Sequence, residues 1–213
     1  CATEGWEDVP GVKRFDPVRV HRLPEYGEQR IFIPPLLEMI RFCYEQDFTH
    51  IHAATPGPIG LAAMFIARVL DLPFVSTYHT KIPQYALHFT GDHSVEEVAW
   101  RYMTWFYSQC RMVFAPSADT AAELAGKGVP EDRILLMPRG VDIEQFHPGN
   151  APLHLGRRGG VRFLYAGRVS REKNLETLVR AFRRLNVFNP EATLVVAGDG
   201  PWLEEMQTAC DGL

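Results

Sequence analysis

Short apolar runs alternate with longer segments of helical period along most of this chain. From the amino end, strands are expected at Val18–Arg22, His50–Ala54, Pro73–Tyr78, Met112–Ala115 and Ile134–Met137. Between them, apolar residues recur at three- and four-residue spacing, which predicts helices over Ile33–Gln46, Pro58–Leu70, Ser94–Gln109 and Ser117–Gly126. Pro34 and Pro35 suit the first turn of the first helix, and Leu36, Leu37, Ile40, Phe42 and Cys43 give it an apolar side. Ser117 is placed to cap the last one. Strands that alternate regularly with helices imply βαβ units and a parallel sheet.

The pattern lapses over Phe146–Gly160, where HPGNAPLHLGRRGG holds two Pro and four Gly with no apolar period, as a linker or exposed turn does. It restarts at Val161. The run VRFLYA, rich in branched and aromatic residues, reads as a buried strand of a parallel sheet that Gly167 ends. An amphipathic helix is expected from near Lys173, with Leu175, Leu178, Val179, Phe182 and Leu185 at helical spacing. A strand at Ala192–Ala197, the turn GDGP (Gly198–Pro201) and a helix at Trp202–Cys210 follow. The expected organisation is an α/β protein of two parallel-sheet domains, 1–148 and 161–213, joined by a linker at 149–160. The opening residues, CATEGWEDVPG, and the closing CDGL read as an excerpt of a longer chain, the first domain lacking its start and the second its end.

Composition narrows the function classes. The chain has 213 residues, 46% of them hydrophobic and 23% charged, as in an ordinary globular protein. A formal charge of −4 provides no electrostatic footprint for nucleic acid. Cys1, Cys43, Cys110 and Cys210 are scattered without a C-x-x-C spacing, which argues against a zinc site or a disulfide framework and fits reduced, cytoplasmic thiols. The most apolar stretch, Pro58–Val75, is interrupted by Arg68 and Asp71 and is unsuited to spanning a bilayer. The expected location is the cytoplasm, with peripheral contact at the cytoplasmic membrane face left open.

Polar loops fall at the carboxyl ends of successive strands: Thr55–Gly60, Tyr78–Tyr85, Pro138–Asp142, Gly167–Lys173 and Gly198–Pro201. Open α/β sheets bind ligands at those ends, and two such blocks imply a cleft between them. In the fourth loop Arg168, Arg171 and Lys173 lie between strand and helix, and a helix amino terminus adds free N–H groups and a partial positive charge. Such a place suits a phosphate or diphosphate, although surface loops also carry Arg and Lys with no ligand. His79 follows directly on a strand and can exchange protons near neutral pH or hydrogen-bond a sugar hydroxyl; a packed or solvated imidazole is the equal alternative. His50 and His52 share a strand face without a third metal ligand and read as structural. Gly198 and Gly200 let backbone approach a ligand closely, but Leu203 stands where G-x-G-x-x-G needs its third Gly, and no Walker sequence is present. Trp100, Met103, Tyr107 and Cys110 make one core stripe; Tyr102 and Trp105 lie off it, toward a partner helix, a second core face, or a lipid or sugar acceptor.

Taken together, these loops resemble the retaining glycosyltransferases of family four, which have the two-Rossmann GT-B architecture. Gly167-Arg168 followed by Lys173-Asn174 resembles their phosphate-binding signature. PRGVDIEQFHP (Pro138–Pro148) resembles the segment closing their amino-terminal domain, with Arg139 where Asn is usual; STYHTKIPQY (Ser76–Tyr85) resembles their His-Thr loop, and VVAGDGPWLEEM (Val195–Met206) their Gly-x-Gly-Pro turn. The resemblance runs from about His50 to the last residue. It implies a nucleotide-sugar donor, bound as substrate with no cofactor and no metal, whose diphosphate is held by Arg168 and Lys173. It further implies that His79 reaches the donor sugar or reacting centre, and that Gly167, Asn174, Gly198, Asp199, Gly200, Arg139 and Gly140 contribute to donor binding. Thr80, Gln84 and Tyr85 fall on the acceptor side, the acceptor being a small molecule or a lipid. Hexose transfer from a UDP- or GDP-sugar with retention follows from the same resemblance. The family's acidic Glu-x7-Glu element would fall beyond Leu213, so the excerpt alone is expected to be inactive. A sugar-nucleotide epimerase of the same fold and a non-catalytic nucleotide- or partner-binding module stay open as alternatives.

Overall fold

The computed structural model describes residues 11–23, 26–147, 149 and 160–212. They form two compact units that divide between Gly140 and Val141. The expected linker lies outside the described residues, apart from 149 and 160.

The amino-terminal unit opens with strands β1 (Arg19–Leu23) and β2 (Tyr26–Ile33), paired antiparallel with Val20 opposite Phe32. The sequence pattern gives only the first of these. Ile33, expected to start a helix, instead ends β2, and helix α1 (Leu36–Glu45) begins after both prolines, with Pro35 at its cap. The reason is steric: a residue that precedes proline is pushed from the helical into the extended region. Ile33 and Pro34 both precede one.

The parallel sheet follows. Strands β3 (Ile51–Ala53), β4 (Phe74–Thr77), β5 (Met112–Ala115) and β6 (Ile134–Leu136) pair in that order, all parallel. Helix α2 (Pro58–Val69) joins the first two, and helix α5 (Ala118–Gly126) precedes β6. Ser117 caps α5 by accepting from the Thr120 N–H at 3.2 Å, as its position predicts. Between β4 and β5 lie two helices, not one. The segment expected as a loop, HTKIPQY, enters helix α3 (Ile82–Thr90), which Gly91 closes at φ +65°. Helix α4 (His93–Ser108) then starts at Asp92, whose carboxylate accepts from the Ser94 N–H at 2.8 Å.

Helix α4 supplies the largest part of the core. Trp100, Met103, Tyr107 and Cys110 are buried along its predicted stripe, and Phe106 is buried beside them. They pack with Ala63, Met64 and Ala67 of α2, Phe74 of β4, and Val113 and Ala115 of β5. Off the stripe, the Tyr102 hydroxyl donates to the Pro56 carbonyl, and Trp105 is 46% exposed with its ring 5.9 Å from that of Tyr102.

The carboxyl-terminal unit contains β7 (Arg162–Ala166), α6 (Leu175–Phe188), β8 (Thr193–Ala197) and α7 (Leu203–Cys210), with β7 and β8 parallel and in register. Strand β7 is where its apolar run predicts, but it is not buried. Burial on both faces needs helices on both faces. Here Phe163 meets Phe182 of α6, whereas Leu164, on the opposite face, is 66% exposed. The core of this unit lies nearer the strand ends, where Val169, Leu175, Val179, Trp202 and Met206 cluster.

One consequence is chemical. Cys110 is fully buried, and burial pushes its thiol up to about 12. Because the thiolate is the reactive form, iodoacetamide at pH 8 should spare Cys110 in the native protein and modify it in denaturant. Equal labelling rates in both states would contradict the burial of Cys110 just beyond the end of α4.

Candidate functional site

Parallel pairing fixes where the loops can meet. In the amino-terminal unit Ala53, Thr77, Ala115 and Leu136 end their strands at one edge of the sheet, so the segments after them emerge side by side. The Tyr78 N–H donates to the Phe114 carbonyl at 2.9 Å and the Met137 N–H to the Ala115 carbonyl at 2.8 Å, extending the ladder one residue past β4 and β6. His79 and Thr80 follow on one side, Arg139 and Gly140 on the other, and all four are exposed. Arg139 Nη2 stands 3.2 Å from Nδ1 of His79. Neighbouring His52 shares its Nε2 with the Thr77 hydroxyl at 2.7 Å and lies against Phe114. Burial above all, then the nearby His79 and His50, hold its imidazole below the ordinary histidine range.

Gln84 and Tyr85 do not lie on a loop. They occupy the first half of α3, where the Tyr85 ring stacks on Phe89 at 6.3 Å. A residue without any sequence signal organises this segment. Glu123 of α5 accepts from Gln84 Nε2 at 2.6 Å through one oxygen and pairs with Lys81 Nζ at 3.0 Å through the other. Lys81 is half-exposed, so the ion pair itself adds at most about 1 kcal/mol. The hydrogen bond to the carboxylate is the stronger tie. The Tyr78 phenol is buried nearby, with burial first and the Glu123 charge second raising its pKa. In the sequence Glu123 is one acid on a helix with several polar positions, and nothing distinguishes it.

The carboxyl-terminal unit brings its two strand-end loops into direct backbone contact. The Gly167 N–H donates to the Ala197 carbonyl at 3.0 Å, the Val169 N–H to Asp199 at 2.8 Å, and the Trp202 N–H to Val169 at 3.1 Å. This packing explains both glycines of GDGP. A Cβ on Gly198 would lie 1.8 Å from the Gly167 carbonyl oxygen, and one on Gly200, at φ +156°, 2.2 Å from that of Val169. Their missing side chains let one loop approach the other, a structural demand that exists before any ligand arrives. The Asp199 carboxylate accepts from the Gly200 N–H at 2.7 Å.

Arg168 leaves β7 half-buried, with its carbonyl accepting from the Tyr165 hydroxyl at 2.7 Å. Val169 and Ser170 then plunge into the core. Lys173 is exposed, but not in the first turn of α6 as its spacing predicts. It closes a separate 3-10 turn, Arg171–Lys173, and Asn174 follows in the left-handed region at φ +51°. Asparagine tolerates that conformation where most residues do not, so the helix restarts only at Leu175. Gly167, Arg168, Gly198, Asp199 and Gly200 are therefore gathered at one strand edge, with Lys173 and Asn174 at the entry to α6.

Residues 1–145 match the family model described as Glycosyltransferase Family 4, and residues 157–213 match Glycosyl transferases group 1. The chain belongs to glycosyltransferase family 4. A GDP-mannose-dependent alpha-mannosyltransferase of Corynebacterium glutamicum is 29% identical to this family-4 chain, over 94% of it and 49% of the relative. The sulfoquinovosyl transferase of Arabidopsis thaliana is 29% identical over 76% of the chain and 32% of its own length. The chain thus spans about a third to a half of these relatives. Among solved structures, Anabaena HepE in complex with UDP-glucose superposes with a TM-score of 0.63 at 19% identity, covering 83% of this chain and 48% of that one. That likeness establishes the fold, which is of the GT-B type.

The glycine packing makes a direct prediction. Gly198→Ala forces a methyl group into a carbonyl oxygen with backbone on both sides, at a cost of about 3 kcal/mol or more. Urea denaturation should show that loss; an unchanged midpoint would mean that the two loops are not in contact.

Proposed function

We propose that the protein containing this chain transfers a hexose from a nucleoside-diphosphate sugar to an acceptor hydroxyl. The observation that carries the reading is the pair of cations, Arg168 and Lys173, beside two loops held together by backbone hydrogen bonds. Their charge suits the diphosphate, and it acts most strongly as negative charge builds on the departing nucleoside diphosphate. In this reading the two side chains supply the positive charge on the leaving group, without a metal or cofactor. The Asp199 carboxylate would repel a diphosphate and suits a nucleoside hydroxyl or a base N–H instead. Gly167, Asn174, Gly198 and Gly200 shape the backbone around the donor. His79 contacts the donor sugar, Gly140 lies beside it, and Thr80, Gln84 and Tyr85 belong to the acceptor side.

The relatives support a sugar nucleotide as donor, since one is named for dependence on GDP-mannose and the HepE structure holds UDP-glucose. GDP and UDP sugars are therefore the two donor classes proposed. Transfer with retention, by attack of the acceptor on the face the leaving group departs from, rests on the family resemblance. So does an acceptor that is a small molecule or a lipid. Among the described residues no helix is long and apolar enough to cross a membrane. A cytoplasmic location rests on the scattered cysteines.

The test is kinetic, in the full-length protein with GDP-mannose and UDP-glucose as donors. Each charge-assisted contact with phosphate is worth about 1.5–3 kcal/mol. Arg168→Ala and Lys173→Ala should therefore each lower kcat/KM for the donor by roughly 10- to 150-fold, with circular dichroism unchanged. Wild-type donor kinetics in both variants would overturn the phosphate role.

A further inference from the structure

Arg139 and His79 belong to different strand ends. His79 follows β4 and Arg139 follows β6, with β5 between them. The two side chains reach toward each other from these strand ends, and Arg139 Nη2 lies 3.2 Å from Nδ1 of His79. An asparagine, the residue usual at this place in the segment it resembles, carries its amide nearer the backbone and offers no guanidinium.

We infer that Arg139 is a positioning residue that fixes the tautomer of His79. A guanidinium carries only N–H donors, has no acceptor, and stays charged at any pH a protein experiences. The contact therefore requires a lone pair on Nδ1 of His79. A ring protonated on both nitrogens would set N–H against N–H and lose it. The neutral ring then carries its hydrogen on Nε2, and Nε2 is the nitrogen left for a ligand.

This assigns a chemical role that the sequence leaves open. Held in this form, His79 offers a ligand a hydrogen-bond donor and no lone pair. It can donate to a sugar hydroxyl or a phosphate oxygen, and it does not accept a proton from the incoming acceptor. Arg139 acts on the reaction through His79 instead of through the diphosphate. The inference rests on the proposed contact of His79 with the donor sugar for its functional meaning, but not for its structural content.

The experiment reads the tautomer directly. Full-length protein labelled with 15N-histidine is observed at pH 8.5, where a histidine ring is neutral, in spectra that correlate ring carbon-bound hydrogens with both nitrogens. His79→Gln assigns the signals. The wild-type protein should show His79 with Nε2 protonated. Arg139→Met, which keeps an unbranched apolar stem but has no donor, should lower the Nε2–H to Nδ1–H ratio about tenfold, equivalent to about 1.4 kcal/mol. Arg139→Lys, which restores a donor, should recover the wild-type ratio. An Nδ1–H ring in the wild type overturns the inference, and so does a ratio unmoved by Arg139→Met. Absence of glycosyl transfer in the wild type would sink the proposed function while leaving the tautomer result standing, so the two failures are told apart.

Discussion

Three backbone hydrogen bonds, from Gly167, Val169 and Trp202, turn two separate loops into one surface in the carboxyl-terminal unit. The donor binding proposed for this unit depends on that contact. It requires glycine at 198 and 200, because the neighbouring carbonyl oxygens occupy the space that a side chain would need. It also draws Val169 and Ser170 into the core, which anchors the turn between Arg168 and Lys173 at both ends. A rigid base under two cations lowers the cost of ordering them around an anion.

The amino-terminal unit solves the same problem differently. Its loops emerge from a four-stranded parallel edge, where the backbone ladder runs one residue past β4 and β6, and beyond that point side chains tie them. Glu123 holds Lys81 and Gln84 at the start of α3, and Arg139 spans from β6 to His79. Side-chain ties between partly or fully exposed groups are weaker than a backbone ladder. Of the two arrangements, the loops of the carboxyl-terminal unit are the more strongly joined.

The α/β order was legible because alternation of period is a property of short stretches, and each stretch carries its own signal. Helix α4 shows this best: its stripe of Trp100, Met103, Tyr107 and Cys110 is the core stripe. Helix α3 is masked in the sequence because His79, Thr80 and Lys81 look like a loop, although Pro83 in a first turn and Gly91 as a left-handed stop mark its ends. Helix α6 starts two residues later than its spacing predicts because Asn174 is left-handed, a conformation that spacing does not encode. The glycines at 198 and 200 announced close approach, but not what approaches. Contacts such as Glu123 with Gln84 and Arg139 with His79 join residues 39 and 60 positions apart. No local pattern carries them; only the fold brings them together.

The central claim is that the joined loops of the carboxyl-terminal unit bind a nucleoside diphosphate. Amide hydrogen exchange of the full-length protein, with and without saturating UDP or GDP, addresses it most directly. The account predicts slower exchange in 167–175 and 198–203 when one of the two nucleotides is bound. Binding of a nucleotide that leaves both segments unprotected, with protection confined to other parts of the protein, would contradict it.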